Sequence, residues 1–165
     1  MEIFRGRRLW IEKRTIRLPG GTEREKVIVH PNNAVAIFPI EKNCCKLLKQ
    51  YRFAIDQYIM EVPAGTIEPG EDPEETARRE LIEETGFTAE TIVPKGFIYT
   101  TPGYTDEKIF LFEARDLSPS DEFGKDEDEL IEVINIPTSD IKGMIRNGTI
   151  VDAKTICLIY RCLEC

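Results

Sequence analysis

The 165-residue chain has little that would take it to a membrane, a nucleic acid or an oxidising compartment. It has no apolar run near the roughly 20 residues that cross a bilayer as a helix, so no membrane partner is expected. The opening stretch MEIFRGRRLWIEKR is basic but lacks an apolar segment, and no secretory signal is read there. Cysteines number five, with Cys44 and Cys45 adjacent. An odd count so placed is a poor disulfide framework and fits a reducing, cytoplasmic setting. Cys162 and Cys165 stand at CxxC spacing near Cys157, but without a second pair they read as ordinary thiols ahead of a zinc site. The single histidine, His30 in VIVHP, has no serine or cysteine motif to serve, so it reads as structural. Lysine and arginine total 22 against 30 acidic residues, a net charge of −8. The basic footprint of a nucleic-acid binder is missing. Such a surface also repels phosphorylated substrates unless cations intervene.

What is present is the composition of one soluble domain, 41% hydrophobic and 32% charged, with no repeat or linker. LWIEKRTIRL and REKVIVH read as a hairpin turning at Pro19-Gly20-Gly21. NAVAIFPI is a continuous apolar run and hence a buried strand. CCKLLKQYRF and YIMEVPAG follow, the latter read as one short strand. A helix begins after Asp72, a good N-cap, with Pro73 at its first position, Glu75 in capping-box register and Gly86 as its stop. KGFIYTT, KIFLFEARDL and LIEVINIP are further strands. Two helices close the chain, one capped by Ser139 and stopped by Gly148, the other capped by Asp152. Strands, one helix, more strands and two helices make an α+β domain with a mixed sheet.

The first helix holds a paradox. In RRELIEETG, Glu80, Glu83 and Glu84 fall at i, i+3 and i+4, which stacks three carboxylates on one face. Like charges at these spacings cost about 0.2–0.5 kcal/mol per pair on an exposed helix. Only Glu83 has an obvious helical ion-pair partner, Arg79 at i−4. A solvated acidic face would interleave lysines. Carboxylates gathered this way suit a hard divalent cation such as Mg²⁺, which binds one or two carboxylates together with substrate phosphates. The repulsion of the helix alone then becomes affinity for metal, and an acidic protein can accept a pyrophosphate.

The stretch from Gly65 to Phe87, GTIEPGEDPEETARRELIEETGF, carries Gly65, Glu71, Arg79, Glu80, Leu81, Glu83, Glu84, Gly86 and Phe87 at every fixed position of the Nudix box. The chain therefore resembles the Nudix hydrolases. QYRFAIDQYIMEVPAG before the box and TPGYTDE after it are similar to the flanks of the ADP-ribose pyrophosphatase branch, with Val62 for the usual leucine and Thr101 for serine. The resemblance implies a Nudix fold over residues 1–165: an α/β/α sandwich with a mixed sheet, the box at residues 65–87, and an N-terminal antiparallel hairpin or small sheet. It also implies a homodimer paired through residues 1–30.

From the same resemblance, Glu80, Glu84 and the carbonyl of Ala64 would hold Mg²⁺, with Mn²⁺ as a possible substitute. Glu83 would serve a second ion or the water network around it. Glu71 and Arg79 would pair to hold loop to helix. The general base would be Glu127 or Glu129, in the acidic run KDEDE. Arg52 would contact phosphate, Arg24 would lie near the adenine, and Pro102 and Glu107 belong to the substrate motif after the box. Trp10 reads as a core or interface residue ahead of a base-stacking one. The implied activity is hydrolysis of ADP-ribose to AMP and ribose 5-phosphate, and the alternative a broader nucleoside-diphosphate-sugar pyrophosphatase. A non-catalytic ligand sensor on the same fold would be expected to have lost box carboxylates, which this chain keeps. An RNA-processing enzyme would be expected to carry a basic patch or an added domain.

Overall fold

The computed structural model describes residues 1–121 and 131–163. Among these described residues, ten strands and three helices run in the order β1 (Glu2–Arg5), β2 (Leu9–Arg17), β3 (Glu23–Pro31), β4 (Ala34–Glu41), β5 (Cys44–Arg52), β6 (Gln57–Glu61), β7 (Ala64–Thr66), α1 (Pro73–Thr85), β8 (Phe87–Tyr99), β9 (Lys108–Pro119), β10 (Ile131–Pro137), α2 (Thr138–Arg146) and α3 (Ala153–Leu163). The main sheet has the order β10-β5-β4-β9-β8, with β6 paired to β5 and β7 to β4. It is mixed: β4 runs parallel to β9, and the other pairs are antiparallel.

The continuous apolar run of β4 has a direct cause. Side chains alternate across a strand, and here both faces are covered. Val35 and Ile37 pack with Ala77 and Leu81 of α1, while Ala36 and Phe38 pack with Ile141 of α2 and Leu158 of α3. The sandwich is therefore helix, sheet, helices. Asp72 caps α1 by accepting from the Glu74 amide at 2.8 Å, Pro73 is the first helical residue, and Gly86 ends the helix in the left-handed region at φ 75°. The Asp72 bond goes to the second helical residue rather than to Glu75, the third, so the cap differs from a standard box.

Two expectations need correction. YIMEVPAG is not one strand: β6 stops at Glu61 and β7 starts at Ala64, because Pro63 cannot donate to a ladder and the chain changes partner from β5 to β4. Ser139 does not cap α2; Thr138 is already helical, Pro137 stands at the cap without a side-chain bond, and Ser139 donates to Asp140 at 2.9 Å. The N-terminal unit is, as expected, a small antiparallel sheet, of three strands because Glu2–Arg5 pairs with β2. This sheet is tied to the body by bonds from the Val29 amide to the Tyr104 carbonyl and from the Asn32 amide to the Arg8 carbonyl, both 2.9 Å. Asp152 does cap α3, accepting from the Thr155 amide at 2.9 Å.

Candidate active site

The break between β6 and β7 creates the site. Pairing of Ala64 with Ala36 carries the turn after Pro63 onto the central strand β4, beside the last turns of α1. Glu84 is 5% exposed on that helix and accepts from the Ala64 amide at 2.8 Å. Gly65 follows, and its lack of a side chain is required. A Cβ there would overlap the carboxylate of Glu80. The glycine thus makes room for a carboxylate against the turn, and a larger residue would push Glu80 out of place.

Arg79 answers the repulsion on the helix face. Its Nε and Nη2 meet Glu71 at 3.0 and 3.1 Å, and its Nη1 reaches Glu80 at 2.7 Å and Glu83 at 2.8 Å. The Glu71 pair was expected. The bond to Glu80 was not, since it joins neighbouring residues that helical spacing sets on different flanks. With three carboxylates around it, Glu71 foremost, the Arg79 guanidinium is held above its ordinary pKa. Glu71, bonded by Arg79, is pushed down from its ordinary 4.5 to about 2.

These groups border a cavity of about 370 Å³. Glu80, Glu83, Glu84, Ala64 and Gly65 line one side, and Arg52, Gln50, Arg7 and Arg8 also line it. A hard divalent cation fits this donor set in kind: three carboxylates and the main chain around Ala64 supply oxygen alone, and the glycine cradle keeps Glu80 at the turn. The carboxylates are held by Arg79 and the Ala64 amide. Among the described residues no three acid, histidine or cysteine side chains converge as a ready metal cage.

A NUDIX domain model matches residues 30–158. The chain belongs to the Nudix family. An ADP-ribose pyrophosphatase of Bacillus subtilis (strain 168) is 36% identical over 156 residues, covering 93% of this chain and 84% of that protein. A methanol dehydrogenase activator of Bacillus methanolicus is 36% identical over 157 residues, with 94% and 85% covered. A GDP-mannose pyrophosphatase of Cronobacter sakazakii (strain ATCC BAA-894) is 38% identical over 134 residues, with 76% and 70% covered. Among solved structures, that of an ADP compounds hydrolase superposes with a TM-score of 0.88 at 26% identity, covering 99% of this chain and 89% of that one. The chain is a Nudix hydrolase, and the family's reaction is hydrolysis of a pyrophosphate linkage.

Within this Nudix site the expected residues are unevenly gathered. Glu80, Glu83, Glu84, Ala64 and Arg52 share the cavity. Arg52 is also ion-paired, as a strand-end arginine would be, with both bonds going to Glu61. Arg24, Pro102 and Glu107 are not among the residues lining it. Arg24 lies exposed on β3 and donates to the Glu23 carbonyl, and Glu107 accepts from Thr100 at 2.7 Å. Trp10 stacks on His30 with ring centroids 3.8 Å apart, and His30 bonds Asp106 at 2.7 Å and Glu12 at 3.3 Å. His30 thus fastens the N-terminal sheet to the loop of the TPGYTDE motif. Glu127, Glu129 and Cys165 lie outside the described residues. Sequence reasoning missed Arg7 and Arg8, which the turn between β1 and β2 carries into the cavity of their own chain. The only signal was the cluster RGRR.

The Glu71–Arg79 pair sets an acid limit on stability. The folded pKa of Glu71 lies below the unfolded one, so its contribution is whole above pH 4.5 and is lost as pH falls toward about 2. Urea unfolding across that window should show wild-type stability falling more steeply than that of Glu71→Gln. Equal slopes for the two proteins would contradict the role given to the pair.

Proposed function

We propose that the protein is a divalent-metal-dependent ADP-ribose pyrophosphatase, giving AMP and ribose 5-phosphate, that its metal is Mg²⁺ with Mn²⁺ as a substitute, and that it acts in the cytoplasm as a homodimer. The observation that carries the reading is the cavity in which Glu80, Glu83 and Glu84 face Arg52, Arg7 and Arg8. Acids and bases bordering one space suit a ligand that brings both metal and phosphate. The Bacillus subtilis relative's name supports ADP-ribose as the substrate.

Glu80, Glu84 and the Ala64 carbonyl would hold the metal, and Glu83 a second ion or its waters. The metal supplies charge neutralisation of the diphosphate and activation of the attacking water. The remaining work belongs to the chain. Arg52 meets a phosphate oxygen, and Arg7 and Arg8 hold the outer part of the anion, so that the scissile bond is placed before attack. An acidic-loop carboxylate, Glu127 or Glu129, takes up the proton released by water, and Glu83 serves the water network. Arg79 holds Glu80 and Glu83 side by side, and its bidentate grip on Glu71 keeps the loop before α1 against the helix.

The names of the GDP-mannose pyrophosphatases favour a second reading, a pyrophosphatase acting more broadly on nucleoside-diphosphate sugars. A panel of ADP-ribose, ADP-glucose, GDP-mannose, UDP-glucose, diadenosine polyphosphate and NADH, with released monoester read by alkaline phosphatase, separates the two. ADP-ribose should give the highest kcat/KM, and Glu84→Gln should fold yet lose nearly all turnover. A folded Glu84→Gln protein with near-normal turnover at saturating Mg²⁺ would remove the metal assignment. Faster cleavage of a hexose-linked nucleotide would favour the second reading.

The dimer is proposed on the N-terminal sheet. A small sheet with one apolar face needs a partner, and Ile3, Phe4 and Val27 are all about half exposed within one chain. Arg24, exposed on the same sheet, would then lie near the partner's nucleotide. Mixing Arg24→Ala with Glu84→Gln protein should raise activity above either parent, because each mixed dimer regains one intact site. No gain despite demonstrated subunit exchange, or a fully active species near the monomer mass of 18.9 kDa, would refute the shared site.

A further inference from the structure

Behind Arg52 stands a buried carboxylate that none of the chemistry above uses. Glu61, the last residue of β6, is 1% exposed. Arg52 gives it one whole edge of its guanidinium, Nε to Oε1 at 2.6 Å and Nη2 to Oε2 at 2.7 Å. Lys154, in the first turn of α3, donates to the same Oε2. Burial by itself would raise the Glu61 pKa, but the bonds from Arg52 and Lys154 outweigh it and hold the group below its ordinary value, as a carboxylate.

The bonds continue from Lys154. Its ammonium also meets Asp152 Oδ2 at 3.0 Å, and Asp152 accepts from the Thr155 hydroxyl at 2.6 Å. Thr155 Oγ1 accepts in turn from the Val62 amide at 2.9 Å. Glu61, Lys154, Asp152, Thr155 and Val62 therefore form a closed ring that staples the start of α3 to the end of β6. Arg52 is the arm of this ring that lines the cavity. Its Nε and Nη2 are committed to Glu61, while Nη1 makes no hydrogen bond among the described residues.

Buried ion pairs are weak evidence for stability, because well-packed apolar groups would do as well. A buried pair that ends on a cavity-lining arginine has a more specific use. With one edge fixed, the guanidinium presents its other nitrogen in few orientations, which suits a phosphate oxygen. Lys154 bridges Glu61 and Asp152, so Glu61 is fixed from the α3 side as well as by Arg52. We propose that Glu61 and Lys154 are positioning residues that hold Arg52 toward the phosphates of a nucleoside diphosphate derivative, so that the C-terminal helix sets substrate affinity. This rests on the reading above that Arg52 meets phosphate.

The test is a double-mutant cycle on Lys154 and Arg52, read as KM and kcat on the best substrate of the panel. Lys154→Met should raise KM by about tenfold, the scale on which an outer partner's loss is felt, with kcat close to wild type, as expected when uniform binding is lost. Lys154→Arg should restore KM. In an Arg52→Ala background, Lys154→Met should raise KM no further, since the two act as one unit. Mn²⁺ binding without nucleotide should be the same in wild type and Lys154→Met. An unchanged KM in Lys154→Met, an equal rise in both backgrounds, or loss of Mn²⁺ binding would each overturn the proposal. Lys154→Gln, measured in the same way, replaces Lys154→Met if that protein does not fold. Failure of the substrate reading is seen separately, as absence of ADP-ribose turnover in the wild-type panel.

Discussion

Three carboxylates within five residues of one helix are the constraint around which this structure is built. Their repulsion cannot be relieved by solvent alone, since Glu84 is almost fully buried. The chain sets the Arg79 guanidinium on Glu80 and Glu83 and the Ala64 amide on Glu84. Each device fixes something else. The amide belongs to Ala64, so the turn after Pro63 must lie against α1. The guanidinium also holds Glu71, so the loop entering the helix is anchored from the same point. Gly65 is then the residue that lets turn and helix approach. A stripe of charge thus determines where a loop, a turn and a strand break must be.

The sandwich makes that determination precise in space. α1 packs on one face of β4 through Ala77 and Leu81, and α2 and α3 pack on the other. The strand that positions Ala64 is buried on both sides and cannot shift without disturbing two cores. On the far side, the ring through Glu61 and Lys154 joins α3 to β6. The carboxylates of α1 and Arg52 of β5 therefore border one cavity, at the β6–β7 junction.

The sequence was most informative where local physics and function coincide. The cap, the N1 proline, the terminal glycine and the carboxylate spacing of α1 are all short-range signals, and the structure has them where they were expected. The two-faced burial of β4 was equally plain from its unbroken apolar run. What the sequence hid depends on long-range placement. Ser139 looked like a cap, but Thr138 had already entered the helix by leaving β10 without a turn. The short strand at Glu2–Arg5 has no pattern of its own and is made by pairing with β2. Arg7 and Arg8 reach the cavity only because that pairing returns the chain to it. Lys154 lies 93 residues from Glu61, and no spacing rule links them. Arg24, Pro102 and Glu107 were read from resemblance, and the single chain does not bring them to the cavity.

The role proposed for the repelling carboxylates of α1, which Arg79 holds side by side, is to bind a divalent cation. Electron paramagnetic resonance of Mn²⁺ tests it most directly, because the free ion's signal falls as the ion is bound and no turnover is needed. Wild-type protein should deplete the free Mn²⁺ signal, Mg²⁺ should restore it by competition, and folded Glu80→Gln and Glu84→Gln proteins should leave it largely intact. Equal depletion by wild type and by both variants would place the cation elsewhere and contradict the claim.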